Sequence, residues 1–295
     1  MASVEPTIGD DESFLVFADE LIRAGDPRGE LIHLDHAIAK ARTRELVDAR
    51  DQLFARFPML AVPANQHVEW RLGFVDTLGY KFPYRQRRPN SGAPDDEDDL
   101  RGIPELFAHP SMRYLRRLIL DAENLTQSHL AGMGAILPPT VSVIEIGAPW
   151  AGHGGRARFS LTPLLARIAI QELAVSSTIT LTQHVPSLRA FTTSTPEPQS
   201  LEAIVTAAPN LERITLLGTN RRLDLAGIAR LRLVELSLVY IPVDHLELDR
   251  IAQITTLRKL RVWNPGMTPE LVKTTRERFA HLELDLRDAI ASRAP

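Results

Sequence analysis

The chain of 295 residues carries nine histidines, 37 acidic residues and no cysteine, and these set the chemistry open to it. Without cysteine there is no disulfide, no thiolate nucleophile and no thiolate metal site. His33 and His36 fall on one helix face with Asp35 between them, a spacing that suits two zinc ligands, but the sequence offers no third and fourth ligand beside them. The acidic run Asp95-Asp96-Glu97-Asp98-Asp99 lacks the spaced ligand order of a calcium loop. Gly152-His153-Gly154-Gly155 has the composition of an esterase oxyanion loop, yet no Gly-x-Ser-x-Gly elbow accompanies it. Phosphate-binding and dinucleotide-binding glycine motifs and His-Glu-x-x-His are absent as well. The residues therefore predict no catalytic site, no cofactor and no metal.

The elements that would position any site are set by a recurring apolar pattern, L-x-x-L-x-L. It appears as Leu188/Phe191/Thr193, Leu211/Ile214/Leu216, Leu233/Leu236/Leu238, Leu257/Leu260/Val262 and Phe279/Leu282/Leu284, with first members 23, 22, 24 and 22 residues apart. That interval lies in the range of roughly 20–29 residues of leucine-rich repeats. Earlier and less regular instances are Leu115/Leu118/Leu120, Val141/Ile144/Ile146 and Ile170/Leu173/Val175. Asn124, Asn220 and Asn264 stand one place late for an asparagine ladder, so the turns must satisfy their backbone groups otherwise. Between strands, Ser200 to Ala208, Leu246 to Ile254 and Pro269 to Phe279 carry helical spacing. The expected fold is α/β: a leucine-rich-repeat horseshoe with a parallel sheet on its concave side and an amino-terminal helical cap.

Composition limits the partners. Apolar residues make up 44% and charged residues 24%, as in a globular chain, and the net charge of −3 argues against bulk attraction to nucleic acid or anionic membrane. No run approaches the ~18 apolar residues of a spanning helix, and the acidic start, with Glu5, Asp10, Asp11 and Glu12, does not resemble a secretory signal. A cytoplasmic location is the expectation.

The amino-terminal part reads as three helices. Phe14, Leu15, Phe17, Ala18, Leu21 and Ile22 form the first stripe, with Ser13 placed to cap it and Gly25-Asp26-Pro27 to end it. The second begins at Pro27 and carries Leu31, Ile32, Leu34, Ile38 and Ala41; the third spans Thr43 to Phe57, before Pro58. Trp70 to Tyr80 reads as the strand that starts the sheet. Three stretches here, Phe17-Ala18-Asp19-Glu20-Leu21, Gly25-Asp26-Pro27-Arg28-Gly29-Glu30-Leu31-Ile32 and Trp70-Arg71-Leu72-Gly73-Phe74-Val75, resemble the repeat-companion domain of large bacterial paralogue sets, notably of myxobacteria and planctomycetes. The resemblance covers about residues 11 to 80 and departs from the usual pattern at Glu20 and Asp35. It implies a module that precedes leucine-rich-type repeats, and it brings no activity with it.

The domain organisation predicted is a helical companion or capping domain over 1–80, a charged loop or linker over 81–105 and a leucine-rich-repeat array over 106–295. The linker holds Arg85, Arg87 and Arg88, then Pro and Gly, then the acidic run. In each repeat the leucines point inward, so alternation sends three columns of side chains to the concave face. The first runs Arg213, Glu235, Lys259, His281, the second Thr215, Ser237, Arg261, Glu283, and the third Leu217, Val239, Trp263, Asp285. Leu217, Val239 and Trp263 then form an apolar ridge flanked by Arg213, Glu235, Lys259 and Arg261, the composition of a protein-recognition patch. The function expected is non-enzymatic binding of another protein by a monomer. The alternative is an enzyme or enzyme regulator with its site in the 84–101 loop or at Gly152–Gly155.

Overall fold

In the computed structural model the described residues are 5–57, 67–82, 103–122, 125–147, 158–166, 168–176, 178–194, 198–218, 223–264 and 266–287. The 84–101 tract, the Gly152–Gly155 fragment, Pro58, Asn124, Asn220 and the tail beyond 287 lie outside them. The first helix, α1 (Asp11–Arg23), starts at Asp10 rather than Ser13: the Asp10 carboxylate accepts the backbone N–H groups of Glu12 and Ser13 at 3.1 and 3.4 Å. A carboxylate outcompetes a hydroxyl there because it also meets the positive end of the helix dipole. In α2 (Arg28–Lys40) Pro27 is the N-cap residue and has no side chain to cap with. Asp26 substitutes for it by accepting from the Arg28 backbone N–H at 3.0 Å and pairing with the Arg28 guanidinium. Helix α3 (Arg44–Arg56) begins as expected at Thr43, whose hydroxyl accepts from the Leu46 N–H.

The stretch from 67 to 80 is a hairpin, not one strand. Strands β1 (His67–Arg71) and β2 (Phe74–Tyr80) pair antiparallel around a two-residue turn in which Leu72 and Gly73 take φ of 49° and 75°. A turn of this kind matches the right-handed strand twist by placing both residues in the left-handed region, which costs a leucine backbone strain. Burial offsets it: Leu72 is almost fully enclosed by Phe14, Phe17, Phe74 and Tyr114. At Gly73 a Cβ would stand 2.9 Å from the Arg28 carbonyl oxygen, so this close approach to α2 also needs glycine.

From β2 onward the chain builds a parallel sheet. After α4 (Ile103–Ala108) come β3 (Arg117–Leu120), α5 (Gln127–Ile136), β4 (Val143–Ile146), β5 (Arg158–Ser160), α6 (Thr162–Leu165), β6 (Glu172–Val175) and β7 (Thr178–Thr180). Then follow β8 (Ala190–Thr193), α7 (Pro198–Ala207), β9 (Arg213–Leu217), β10 (Glu235–Val239), α8 (His245–Ile251), β11 (Lys259–Trp263), α9 (Pro269–Arg278) and β12 (Glu283–Arg287). Among the described residues ten strands form one open sheet in the order β1-β2-β3-β4-β6-β8-β9-β10-β11-β12, and β5 and β7 make a separate parallel pair. The molecule is thus α/β with a mostly parallel sheet, and the hairpin of residues 67–80 supplies its first two strands.

The apolar pattern becomes rows across this sheet. Leu118, Ile144, Leu173, Phe191, Ile214, Leu236 and Leu260 are in register on successive strands and at most 2% exposed. At about 1.5–3 kcal/mol per buried side chain of this size, each row position contributes as much as several hydrogen bonds. Leu201, Ile204 and Val205 of α7 and Leu248 and Ile251 of α8 close over the same continuous core. The register through β4, β6 and β8 is the one the sequence suggests. The last strand is not: Leu284 lies beside Leu260 and Leu286 beside Val262, so this unit runs two residues later than Phe279/Leu282/Leu284 implies. Phe279 instead ends α9 and is buried beneath it.

Candidate functional site

The seven residues singled out for partner binding come together on the polar face of β9, β10 and β11. Arg213, Glu235 and Lys259 are direct neighbours in one row, Leu217, Val239 and Trp263 in another, and Arg261 lies between Lys259 and Trp263 on its strand. Two features differ from expectation. Leu217 and Val239 are only 7% and 5% exposed, so they do not form an open apolar ridge. The chain beyond the strands folds back against this end: Ile241 and the Tyr240 carbonyl approach Gly218 so closely that a Cβ there would collide with both. The third row is therefore mostly packed, and Trp263 alone of the three keeps a substantial exposed edge.

The two-residue shift of β12 gives Trp263 new neighbours. The final strand contributes Glu283, Asp285 and Arg287 to the three rows in place of His281, Glu283 and Asp285. Lys259 pairs with Glu283 at 3.0 Å and Arg261 with Asp285 at 3.2 Å, each directly across the ladder. Arg287 reaches Asp285 at 3.1 Å. The Arg261 and Arg287 guanidiniums stand 5.1 and 4.6 Å from the centre of the Trp263 ring, both within cation–π range. Partial burial alone would raise the Asp285 carboxyl, but the indole N–H of Trp263 and the guanidiniums of Arg287 and Arg261 outweigh it and hold the group below the usual carboxylate range. The Trp263 Nε1 is itself buried and outside strict hydrogen-bond geometry, so its effect on Asp285 is that of a nearby dipole. Lys259 is held above its ordinary value by the hydrogen bond and charge of Glu283 and by Glu235 in the adjacent row position.

The charges on this face largely satisfy one another. Arg213, expected to await a partner, reaches across β8 to Glu172 at 2.7 Å. In the middle row Ser237 is almost fully buried between Thr215 and Arg261, with its hydroxyl enclosed. Further toward β3, burial raises the Glu145 carboxyl against the opposing effect of Arg117.

Tyr240 was not visible as a site residue in the sequence. It is 52% exposed, takes φ of 57°, and donates its backbone N–H to the Trp263 carbonyl at 2.7 Å. An exposed aromatic held in the left-handed region carries backbone strain, which makes this corner a candidate site. Elsewhere, His33 lies 3.4 Å from Asp19, and among the described residues no three histidine, aspartate or glutamate side chains are grouped as a metal site. Among the described residues no helix is long and apolar enough to cross a membrane. Neither the models of known protein families nor the curated protein sequences contain a match to this chain.

Proposed function

We propose that this chain is a leucine-rich-repeat solenoid with an amino-terminal companion cap, and that it works as a monomeric, non-enzymatic module that binds another protein. The observation that carries the reading is the pair Trp263 and Tyr240 at the carboxyl ends of β11 and β10. Trp263 is partly exposed and held by two arginines, Tyr240 is half exposed in a left-handed conformation, and their backbones are hydrogen-bonded to each other. Aromatic side chains with adjacent arginines are the residues that most often dominate protein interfaces. Their conformations are fixed before any partner arrives, which lowers the entropy cost of association. The in-register rows and the nearly sequential strand order support the solenoid, since each unit contacts chiefly its neighbours. The hairpin β1–β2 and helices α1 to α3 support the cap, because they cover the first parallel strand with a unit of different construction.

The test compares partner capture by the native chain, Trp263→Leu and Tyr240→Ala, with Val16→Ala on α1 as a remote exposed control. Leucine at 263 keeps apolar packing while removing the ring. Loss of the same stoichiometric partner in both aromatic variants and its retention in the control is the expected result. Retention in all of them would overturn the assignment of this surface.

A further inference from the structure

The opposite end of the same strands presents a second surface of different chemistry. The residues that immediately precede β8, β9, β10 and β11 are Arg189, Glu212, Val234 and Arg258, and backbone hydrogen bonds link them in a row: Glu212 N–H to Arg189 O, Val234 N–H to Glu212 O and Arg258 N–H to Val234 O. They line a cleft of about 750 Å³ together with Arg232, Pro209 and Thr256. Arg232 and Arg258 are exposed and have no acidic partner among the described residues, whereas Arg189 is shared between the Asn210 carbonyl at 3.1 Å and Glu212 at 3.7 Å. Val234, 38% exposed, supplies an apolar floor in the middle of the row. A chain with net charge −3 thus concentrates three arginines against one glutamate here, while the arginines of the sheet's polar face are held in ion pairs.

We propose that this cleft binds an extended acidic peptide segment. Parallel strands are spaced about 4.8 Å, so Arg189 and Arg258, three strands apart, are separated by about 14 Å along the row. An extended peptide rises about 3.4 Å per residue, which places side chains four positions apart at about 13.6 Å and on the same side. Acidic residues at positions one and five therefore meet Arg189 and Arg258, and position three falls between Glu212 and Val234 in a cleft that Arg232 also lines. Guanidiniums favour carboxylates through their paired N–H donors. The apolar floor and Glu212 disfavour the denser, fully hydrophilic charge of a nucleic-acid backbone.

The experiment is fluorescence anisotropy of the full chain with a labelled peptide that carries five consecutive acidic residues, Asp-Asp-Glu-Asp-Asp, the sequence of residues 95–99. Saturable binding that weakens steeply between 50 and 200 mM salt is expected, with at least a tenfold loss of affinity in the double variant Arg232→Ser/Arg258→Ser. Both side chains are exposed, so an unchanged melting temperature confirms that the variant is folded. Trp263→Leu should bind the peptide normally, which separates this site from the aromatic one. Unaltered affinity in the double variant, failure to saturate, or tighter binding of an oligonucleotide of equal charge would each overturn the proposal.

Discussion

A double-mutant cycle between Trp263 and Arg287 tests the most consequential departure from the sequence reading. In the structure Arg287 is the direct cross-strand neighbour of Trp263, with its guanidinium 4.6 Å from the ring centre. In the register suggested by Phe279/Leu282/Leu284, Asp285 would occupy that position and Arg287 would lie two residues beyond. The perturbations are Trp263→Leu, which removes the π face but fills much of the volume, and Arg287→Ala. A cation–π contact at a partly exposed site is worth about 0.5–1 kcal/mol, and this is the coupling energy expected from the cycle. The companion cycle with Arg261, 5.1 Å from the same ring, should give a value in the same range. Arg213 is two strands away and is the control, with coupling below about 0.5 kcal/mol. Urea unfolding followed by far-ultraviolet circular dichroism supplies the free energies, and constant m-values across the set show that the unfolding unit is unchanged. Leu260→Ala, at a fully buried position, calibrates the scale at about 2–5 kcal/mol. Zero coupling with Arg287, or a cost for Trp263→Leu equal to that of Leu260→Ala, would refute the placement of the indole between the guanidiniums.

Exchanging the charges of Lys259 and Glu283 should restore part of the stability lost in Lys259→Glu alone, as read from urea midpoints, the rest staying lost because Glu235 still faces the new carboxylate, whereas combining Lys259→Glu with His281→Lys should restore none. Tyr240→Gly removes the left-handed strain of a residue that is half exposed, and should raise stability by roughly 0.5–1 kcal/mol net of glycine's added unfolded-state entropy; Tyr240→Val should lower it. Asp35, on the buried face of α2, accepts the Gly73 N–H at 2.9 Å and pairs with Arg50 at 3.0 Å, and burial outweighs both partners to raise its carboxyl. The folded state then retains a proton that the unfolded chain releases at about 3.9, so this group's contribution falls as pH rises from there through the raised folded value. The stability of the native chain minus that of Asp35→Asn should decline across that window and level off above it; a difference that grows with pH would contradict the assignment.

Burial is what the sequence records well. One face of each strand must be apolar, so Leu236/Leu238 and Leu260/Val262 announce themselves by spacing, as do the helices α3, α7 and α9. Register is recorded only where something besides hydrophobicity depends on it. Sliding β12 by two residues keeps every side chain on its own face, and Leu282/Leu284 fits the apolar template as well as Leu284/Leu286 does. The discriminating information lay in charge: Lys259/Glu283 and Arg261/Asp285 are opposite-sign pairs at a constant offset, which the repeat template ignores. Strand ends are equally silent. Alternation assigns Leu217 and Val239 to the polar face but says nothing of their burial or of the close approach of Tyr240 and Ile241 to Gly218 at the same end. Leu72 at a left-handed turn position and the three-residue strands β5 and β7 lack any local signature, because a buried leucine tolerates strain only through tertiary contacts and three residues show no period.

The two surfaces proposed for binding differ in how they would respond to salt, and the difference follows from where the arginines sit. Arg213, Arg261 and Arg287 are already engaged by Glu172 and Asp285, so a partner at Trp263 and Tyr240 gains little long-range attraction and loses little when ions screen it. What it gains is contact with preset aromatic surface, which appears mainly as slow dissociation. At the other end of the strands Arg232 and Arg258 have no acidic partner among the described residues, and their field reaches about 10 Å into solution at 0.1 M salt. A ligand there is captured by charge, arrives fast, and is released as ionic strength rises. The ladder itself imposes this separation: residues within strands face opposite charges on the next strand at 4.8 Å spacing and neutralise them. Positions one residue before the strands face the row Arg189, Glu212, Val234 and Arg258, in which a single acid and a valine cannot neutralise the arginines.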